Sequence, residues 1–405
     1  MPQVRSGFRF DPPSRPVEAG VAWVLVQALA VSSRPLGPPA SADSLIDTAE
    51  RLALLPRLAT QFNPAAWPSA PGVAERLRRE RAAAVAHEMR LDATLAGVAA
   101  AAAALGLAPA LLKGPALVLG GYSAPGGRPS GDLDLLVAVS GLDALHQELR
   151  RRGFREIPTG AEHHTPSLHW PGGVTVELHR HLPGVRLAGR GFAGWTDLKA
   201  AGLLGPAALR DGLLLPARDL LVAHALVHGL AQHGLHGGFP GWRLIGDLID
   251  LGVHPRELAE PAARWPRWIE REVSRREIAA AVEVARLVAA GENPLATPNR
   301  DDAGRLAHHF VAAALDPDYG EALKLRWLQS PLSERAPLAA RLRLLAHTLA
   351  PRRHGGQRGQ ESFARRLGRW LLRPALLAGK AWRAVRARQR LRTADQARRG
   401  RPHRS

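Results

Sequence analysis

The sequence predicts an α/β (α+β) core set between helical regions. Three observations predict it: helical patterns run long at both ends of the chain, short apolar runs alternate with Gly/Pro turns in the middle, and an Asp-x-Asp pair sits inside one of those runs. With 405 residues and 46% hydrophobic content the chain can bury a large core, and two packed units are expected rather than one compact domain.

Residues 1–104 read as a helical N-terminal region. Ser41-Ala42-Asp43 offers a helix cap, and Val73 to Ala104 is rich in Ala, Leu, Glu and Arg with few breakers. Val21 to Val31 has the length of a signal-peptide core, but Asp11, Glu18 and several prolines precede it, so it reads as part of the fold. Leu95 to Leu112 carries no charge, yet it is mostly alanine and is broken by Gly97, Gly106 and Pro109, which is too weakly apolar to cross a bilayer.

Residues 105–205 are predicted to form the α/β core. Its strands fall at Ala108–Lys113, Leu133–Val139, Phe154–Ile157, Ser167–Trp170 and Val174–His179, with helices at Pro115–Gly120 and Leu142–Arg152. Helical periodicity returns after Pro216 and defines a C-terminal helical domain over 206–350. A joint at Pro351–Gly359 then opens a basic, partly disordered tail over 351–405.

Charge is unevenly placed. The formal net charge is +19, but the tail holds 17 basic and 2 acidic residues and so supplies +15 of it, leaving the first 350 residues near neutral. Aromatic and apolar residues, among them Phe363, Trp370 and Trp382, interleave with the tail arginines. Such a stretch suits nucleic acid, an anionic membrane or an acidic protein, or packs as a last helix on the body. The absence of cysteine excludes disulfides, thiolate catalysis and Cys-based metal centres, and it fits a cytoplasmic protein.

The chemistry is concentrated in three short segments: Lys113-Gly114, Arg128-Pro-Ser-Gly-Asp132-Leu-Asp134-Leu-Leu-Val137, and Val174-Thr-Val-Glu177-Leu-His179. Side chains alternate along a strand, so Asp132 and Asp134 leave one face about 7 Å apart. Glu177 and His179 share a face of the second strand in the same way. If the two strands are neighbours, three carboxylates converge. Three hard oxygen ligands suit Mg²⁺ (or Mn²⁺), and two such ions about 4 Å apart stabilise both oxygens of an in-line displacement at phosphorus. Lys113-Gly114 lies between a strand and a helix start, where glycine lets the backbone approach a phosphate. Lys113 is one of four lysines beside 51 arginines, a choice that suits a point charge on phosphate. Arg128 reads as a second phosphate contact or as a turn residue in an ion pair, and His179 as a phosphate contact or an orienter of a ligand carboxylate. Asp316-Pro-Asp318 repeats the aspartate spacing at a proline turn, where no strand supports it.

These segments, with the helix ending in Arg152-Gly153-Phe154, resemble the nucleotidyltransferase fold of the DNA polymerase beta superfamily. They are most similar to a bacterial branch known as nucleotidyltransferase family proteins, some of which occur in biosynthetic clusters for ribosomally made peptides. The likeness spans residues 70–255, and its sharp motifs lie within 111–179. It implies a mixed sheet and two divalent ions on Asp132, Asp134 and Glu177 as catalytic metal ligands. It further implies NTP as co-substrate, bound by Lys113, Gly114, Arg128 and His179, and transfer of an NMP to an acceptor that is a peptide, a small molecule or RNA. The superfamily's Gly-Ser motif is absent and Lys113-Gly114 stands in its place, which leaves the choice of nucleotide open. Three rival readings are an inactive binding protein that keeps the fold, a tRNA-directed enzyme that uses the basic tail, and phosphotransfer from the γ-position, which would release ADP rather than pyrophosphate.

His224 and His228, four apart on an expected helix with His233 and His236 beyond, read first as packing or hydrogen-bonding histidines. They lack the intervening glutamate of a zinc protease. Arg243 and Asp247 are expected to form an i,i+4 pair. His163, His164, His169 and His181 crowd the strand region.

Overall fold

The computed structural model describes residues 19–29, 42–61, 71–157, 164–187, 191–208, 210–232, 241–260, 264–270, 272–295 and 302–315. The Ser41 cap, His163, His233, His236, Asp316-Pro-Asp318 and the tail lie outside the described residues.

Twelve α-helices and seven strands are described. The N-terminal region comprises α1 (Ala19–Leu29), α2 (Ala42–Arg51), α3 (Leu55–Gln61) and α4 (Pro71–Ala104). The signal-like apolar run is a core helix: Val24, Leu25 and Leu29 of α1 are buried. On α4, Val73, Leu77, Ala84, Leu91, Leu95 and Val98 recur at helical spacing and are buried, so one stripe of this 34-residue helix packs on the body.

The core follows as β1 (Ala110–Leu111), α5 (Lys113–Leu119), β2 (Asp132–Leu136), α6 (Val139–Arg151), β3 (Arg155–Ile157), β4 (Ser167–His169), β5 (Thr175–His179), α7 (Trp195–Ala200), β6 (Leu204–Pro206) and β7 (Leu214–Pro216). The seven strands form one mixed sheet in the order β3-β4-β5-β2-β1-β7-β6. β2 pairs in parallel with β5 and antiparallel with β1, while β7 runs parallel to β1. All five strands expected from the sequence are present; β6 and β7 are additional and carry the sheet on to Pro216.

The remaining helices are α8 (Arg218–Leu226), α9 (Gly241–Asp250), α10 (Trp265–Ile269), α11 (Arg275–Ala289) and α12 (Asp302–Leu315). α8 continues directly into a π-helical segment, Val227–Gln232. A single hydrophobic core runs from α1 through the sheet to α12. The Arg57 guanidinium of α3 pairs with the Asp250 carboxylate of α9 and donates from Nε to the Ala28 carbonyl at 3.0 Å, tying the first helices to the C-terminal ones. No described helix is long and apolar enough to cross a membrane.

Candidate active site

The apolar members of β2 and β5 hold the site in place. Leu133, Leu135, Val176 and Leu178 are fully buried, and this fixes the register because a one-residue slip would turn all of them onto the face that carries the carboxylates. In that register Asp132 faces Thr175, Asp134 faces Glu177 and Leu136 faces His179. The neighbouring strands therefore set Asp134 and Glu177 side by side and His179 one step beyond.

Asp134 is the centre of the cluster and is wholly buried. Its Oδ1 accepts from Lys113 Nζ at 2.8 Å and lies 2.7 Å from His179 Nε2, whereas its Oδ2 is buried and makes no hydrogen bond with the described residues. Burial alone would raise the carboxyl's pKa, but Lys113 and His179 more than offset it and hold Asp134 well below the usual carboxylate range. Asp132 goes the other way, pushed up by burial and by the Asp134 charge. Burial also opposes the Lys113 charge, yet Asp134, with Asp132 and Glu177 behind it, raises this ammonium above its ordinary value. Glu177 Oε1 accepts from Ser167 Oγ at 3.2 Å, and its Oε2 lies 3.8 Å from His179 Nε2 and 3.9 Å from His164 Nε2.

One oxygen or nitrogen each from Asp134, Glu177 and His179 lies within 4.8 Å of the others, a set able to hold a divalent cation. The unbonded Asp134 Oδ2 fits such an ion, since a buried charged oxygen without a donor is costly unless a cation meets it. Sequence reasoning counted three carboxylates as ligands. The geometry adds the imidazole of His179 to this group and leaves Asp132 beside it.

Lys113 reaches Asp134 because the chain turns sharply from β1 into α5. Lys113 itself takes a left-handed φ of 54°, and the Leu112 N–H donates to the Asp134 carbonyl at 3.0 Å, so backbone and ammonium both grip the same residue. Such a φ costs a non-glycine residue about 1 kcal/mol, which the paired contacts offset. At Gly114 a Cβ would meet Arg128 Nη1 at 3.0 Å.

Arg128 is engaged within the protein. It is only 7% exposed, and its Nε and Nη2 donate to the two oxygens of Asp247 at 2.7 and 3.0 Å. The i,i+4 expectation named Arg243 for Asp247, but both carboxylate oxygens go to Arg128, 119 residues away in sequence. Arg243 remains in the same field: burial and the like charge of Arg128 lower its pKa, against the pull of Asp247.

The long helix α4 braces the loop that carries the motif. His87 Nε2 lies 2.5 Å from the Ser130 carbonyl, Glu88 Oε1 accepts from the Gly126 N–H at 3.3 Å, and Thr94 Oγ1 accepts from the Val174 N–H at 3.1 Å just before β5. Ser130 Oγ lies 3.5 Å from Asp132 Oδ1. Nothing in the sequence marks these bracing residues beyond their place on a helical pattern.

A narrow pocket adjoins the cluster through Lys113 and is lined also by Arg128, Asp247, His224 and His228. No curated protein and no solved structure matches the chain. A family model described as uncharacterised nucleotidyltransferase matches residues 38–290, a span that contains the whole carboxylate cluster and this pocket, and the chain belongs to that family.

Proposed function

We propose that the protein is a metal-dependent nucleotidyltransferase of the polymerase beta type, acting in the cytoplasm, that moves an NMP from an NTP to an acceptor and releases pyrophosphate. The observation that carries this reading is the buried, ionised Asp134, whose Oδ2 stands without a hydrogen bond beside Glu177 and His179. Asp134, Glu177 and His179, with Asp132 at their edge, would hold Mg²⁺ or Mn²⁺. When bound, the metal would neutralise phosphate charge and draw electrons from the reacting phosphorus.

The chain's own groups supply the rest. Lys113, with the Gly114 backbone beside it, meets the triphosphate, and Arg128 holds the wall behind Gly114 through Asp247. An acceptor oxygen attacks the α-phosphorus; a new P–O bond forms as the bond to the bridging oxygen breaks and pyrophosphate leaves. Asp134 is held too acidic to take up a proton, so the acceptor's proton passes to Glu177. Peptide natural-product maturation is the setting we favour for the acceptor.

Label transfer from α-³²P NTP with Mg²⁺ or Mn²⁺, with cell extract as acceptor source, tests the proposal. Transfer by the wild type that disappears in Asp132→Asn/Asp134→Asn supports it. Transfer that persists in the double variant, or label that moves from γ-³²P NTP instead, overturns it.

A further inference from the structure

The sheet face that carries the carboxylates continues beyond β5. Asp132 faces Thr175 of β5, Thr175 faces His169 of β4, and His169 faces Arg155 of β3. Residues directly opposite one another in a ladder share a face, so these four form one row across the sheet. The adjacent row, Leu133, Val176 and Leu168, is fully buried on the opposite face, where Glu156 of β3 meets Arg150 of α6. The helix α6 thus lies on the far side of the sheet from the row.

The donors of this row are accessible and unengaged. Arg155 is exposed, His169 and Thr175 are half-buried, and among the described residues none of the three side chains makes a hydrogen bond or an ion pair. Lys113 and Arg128 differ in this respect, being bonded to Asp134 and Asp247. Neighbouring strands stand about 4.8 Å apart, which sets His169 about 10 Å and Arg155 about 14 Å from Asp132 along the row. The direction of attack gives the row its meaning. Lys113 follows β1, and β1 flanks β2 on the side opposite to β5. In an in-line displacement the attacking oxygen approaches phosphorus from the side away from the leaving group. With pyrophosphate held from the β1 side by Lys113 and Gly114, the acceptor approaches from the β5 side and lies over β5, β4 and β3.

We propose that Thr175, His169 and Arg155 form the acceptor's binding row, and that Arg155 with His169 selects an acceptor bearing one oxyanion, a carboxylate or a phosphate monoester, about 10–14 Å from its attacking oxygen. The assignment rests on the nucleotidyl-transfer reading for the direction of attack, while the row itself stands on strand register. Its chemistry points to one anionic group. The planar fork of Arg155 pairs two N–H groups with a single carboxylate or phosphate, and the His169 ring has an N–H to add. A polyanion such as RNA needs several cations, and Arg155 is the one permanent cation in the row. Ile157, on the same face as Arg155 and 37% exposed, offers apolar surface to the body of the acceptor.

Two measurements test this, and the first needs no turnover. The full chain, in Mg²⁺ and a non-hydrolysable NTP, is titrated with glutarate and with phenyl phosphate while the histidine ring signals are followed by NMR. The His169 signal is the one missing from His169→Gln. It should shift with at least one of the two anions, and Arg155→Gln should weaken that response on the order of tenfold, the loss of one hydrogen bond to a charged group. Arg155→Lys should restore part of it. No shift, or equal affinity in Arg155→Gln, overturns the row. The second measurement is label transfer from α-³²P NTP with cell extract as acceptor source. Arg155→Gln should raise KM for the acceptor on the order of tenfold while KM for NTP stays near its wild-type value. Amidating the extract's carboxylates, or removing its phosphate monoesters with phosphatase, should abolish acceptor activity and show which oxyanion is read. Activity that survives both treatments, or that ribonuclease removes, overturns the assignment. If wild type transfers no label at all, the nucleotidyl-transfer reading fails, and the titration alone decides whether the row binds an oxyanion.

Discussion

Lys113 Nζ donates to Asp134 Oδ1 at 2.8 Å across a strand-to-helix turn in which Lys113 has left-handed backbone geometry. The same carboxylate oxygen lies 2.7 Å from His179 Nε2, so one buried aspartate organises a cation, an imidazole and the neighbouring Glu177. From this arrangement the two aspartates of the motif acquire opposite properties.

Asp132→Asn and Asp134→Asn should change stability in opposite directions. Asp134 has a depressed folded pKa, so its contribution is present above the unfolded carboxylate range and is lost as pH falls below about 4. Asp132 has a raised folded pKa, so its ionised form is a liability at neutral pH that is relieved as pH falls through that folded value. Urea unfolding at pH 7 should show Asp134→Asn less stable by about 1–3 kcal/mol, since Lys113 loses its charge partner. Asp132→Asn should be neutral or about 0.5–1 kcal/mol more stable. Equal losses in both would count against this electrostatic account.

The Arg128–Asp247 pair should behave as a buried clamp between the motif loop and α9. Asp247→Ala leaves a buried guanidinium uncompensated and should cost about 3–5 kcal/mol, whereas Arg128→Met with Asp247→Leu should cost much less. A double-mutant cycle in urea checks this, and additive effects would show that the two side chains do not couple.

Gly114→Ala tests the close approach at the turn. The added methyl meets Arg128 Nη1 at 3.0 Å and Cζ at 3.4 Å, so the guanidinium must give by a few tenths of an ångström while Asp247 holds it in place. The expected loss is about 1 kcal/mol of stability, with a larger proportional rise in KM for NTP than fall in kcat. A KM that stays at the wild-type value would place Gly114 outside the nucleotide grip.

His179 should set metal preference. Mn²⁺ accepts an imidazole ligand more readily than Mg²⁺, which takes oxygen ligands and keeps its waters. In calorimetric titrations His179→Ala should therefore weaken Mn²⁺ binding more than Mg²⁺ binding. Parallel losses for both ions would confine His179 to orienting Asp134.

Much of this site was legible because strand alternation is a local rule. Asp132 and Asp134 on one face of β2, and Glu177 with His179 on one face of β5, follow from residues two apart, and the apolar alternates Leu133, Leu135, Val176 and Leu178 mark the opposite face as core. What the sequence could not show was long-range partnership. Asp247 has a cation four residues before it, so helical spacing favoured Arg243, while the partner that takes both its oxygens arrives from a loop 119 residues away. β6 and β7 were also hidden, since Leu204-Gly205-Pro206 and Leu214-Leu215-Pro216 are too short to alternate and each ends in proline. They are strands because they pair with each other and β7 finds the free side of β1. The histidine helix was visible as a motif, but its π turn was not, and the pocket it lines is formed together with residues of α5 and α9.

The most direct measurement of the central claim needs no acceptor: equilibrium binding of a fluorescent NTP to wild type and to Asp134→Asn, each with and without Mn²⁺. The account predicts tight binding to wild type only when Mn²⁺ is present, and loss of that metal-dependent increment in folded Asp134→Asn. Nucleotide binding that is indifferent to both the metal and the aspartate would contradict it.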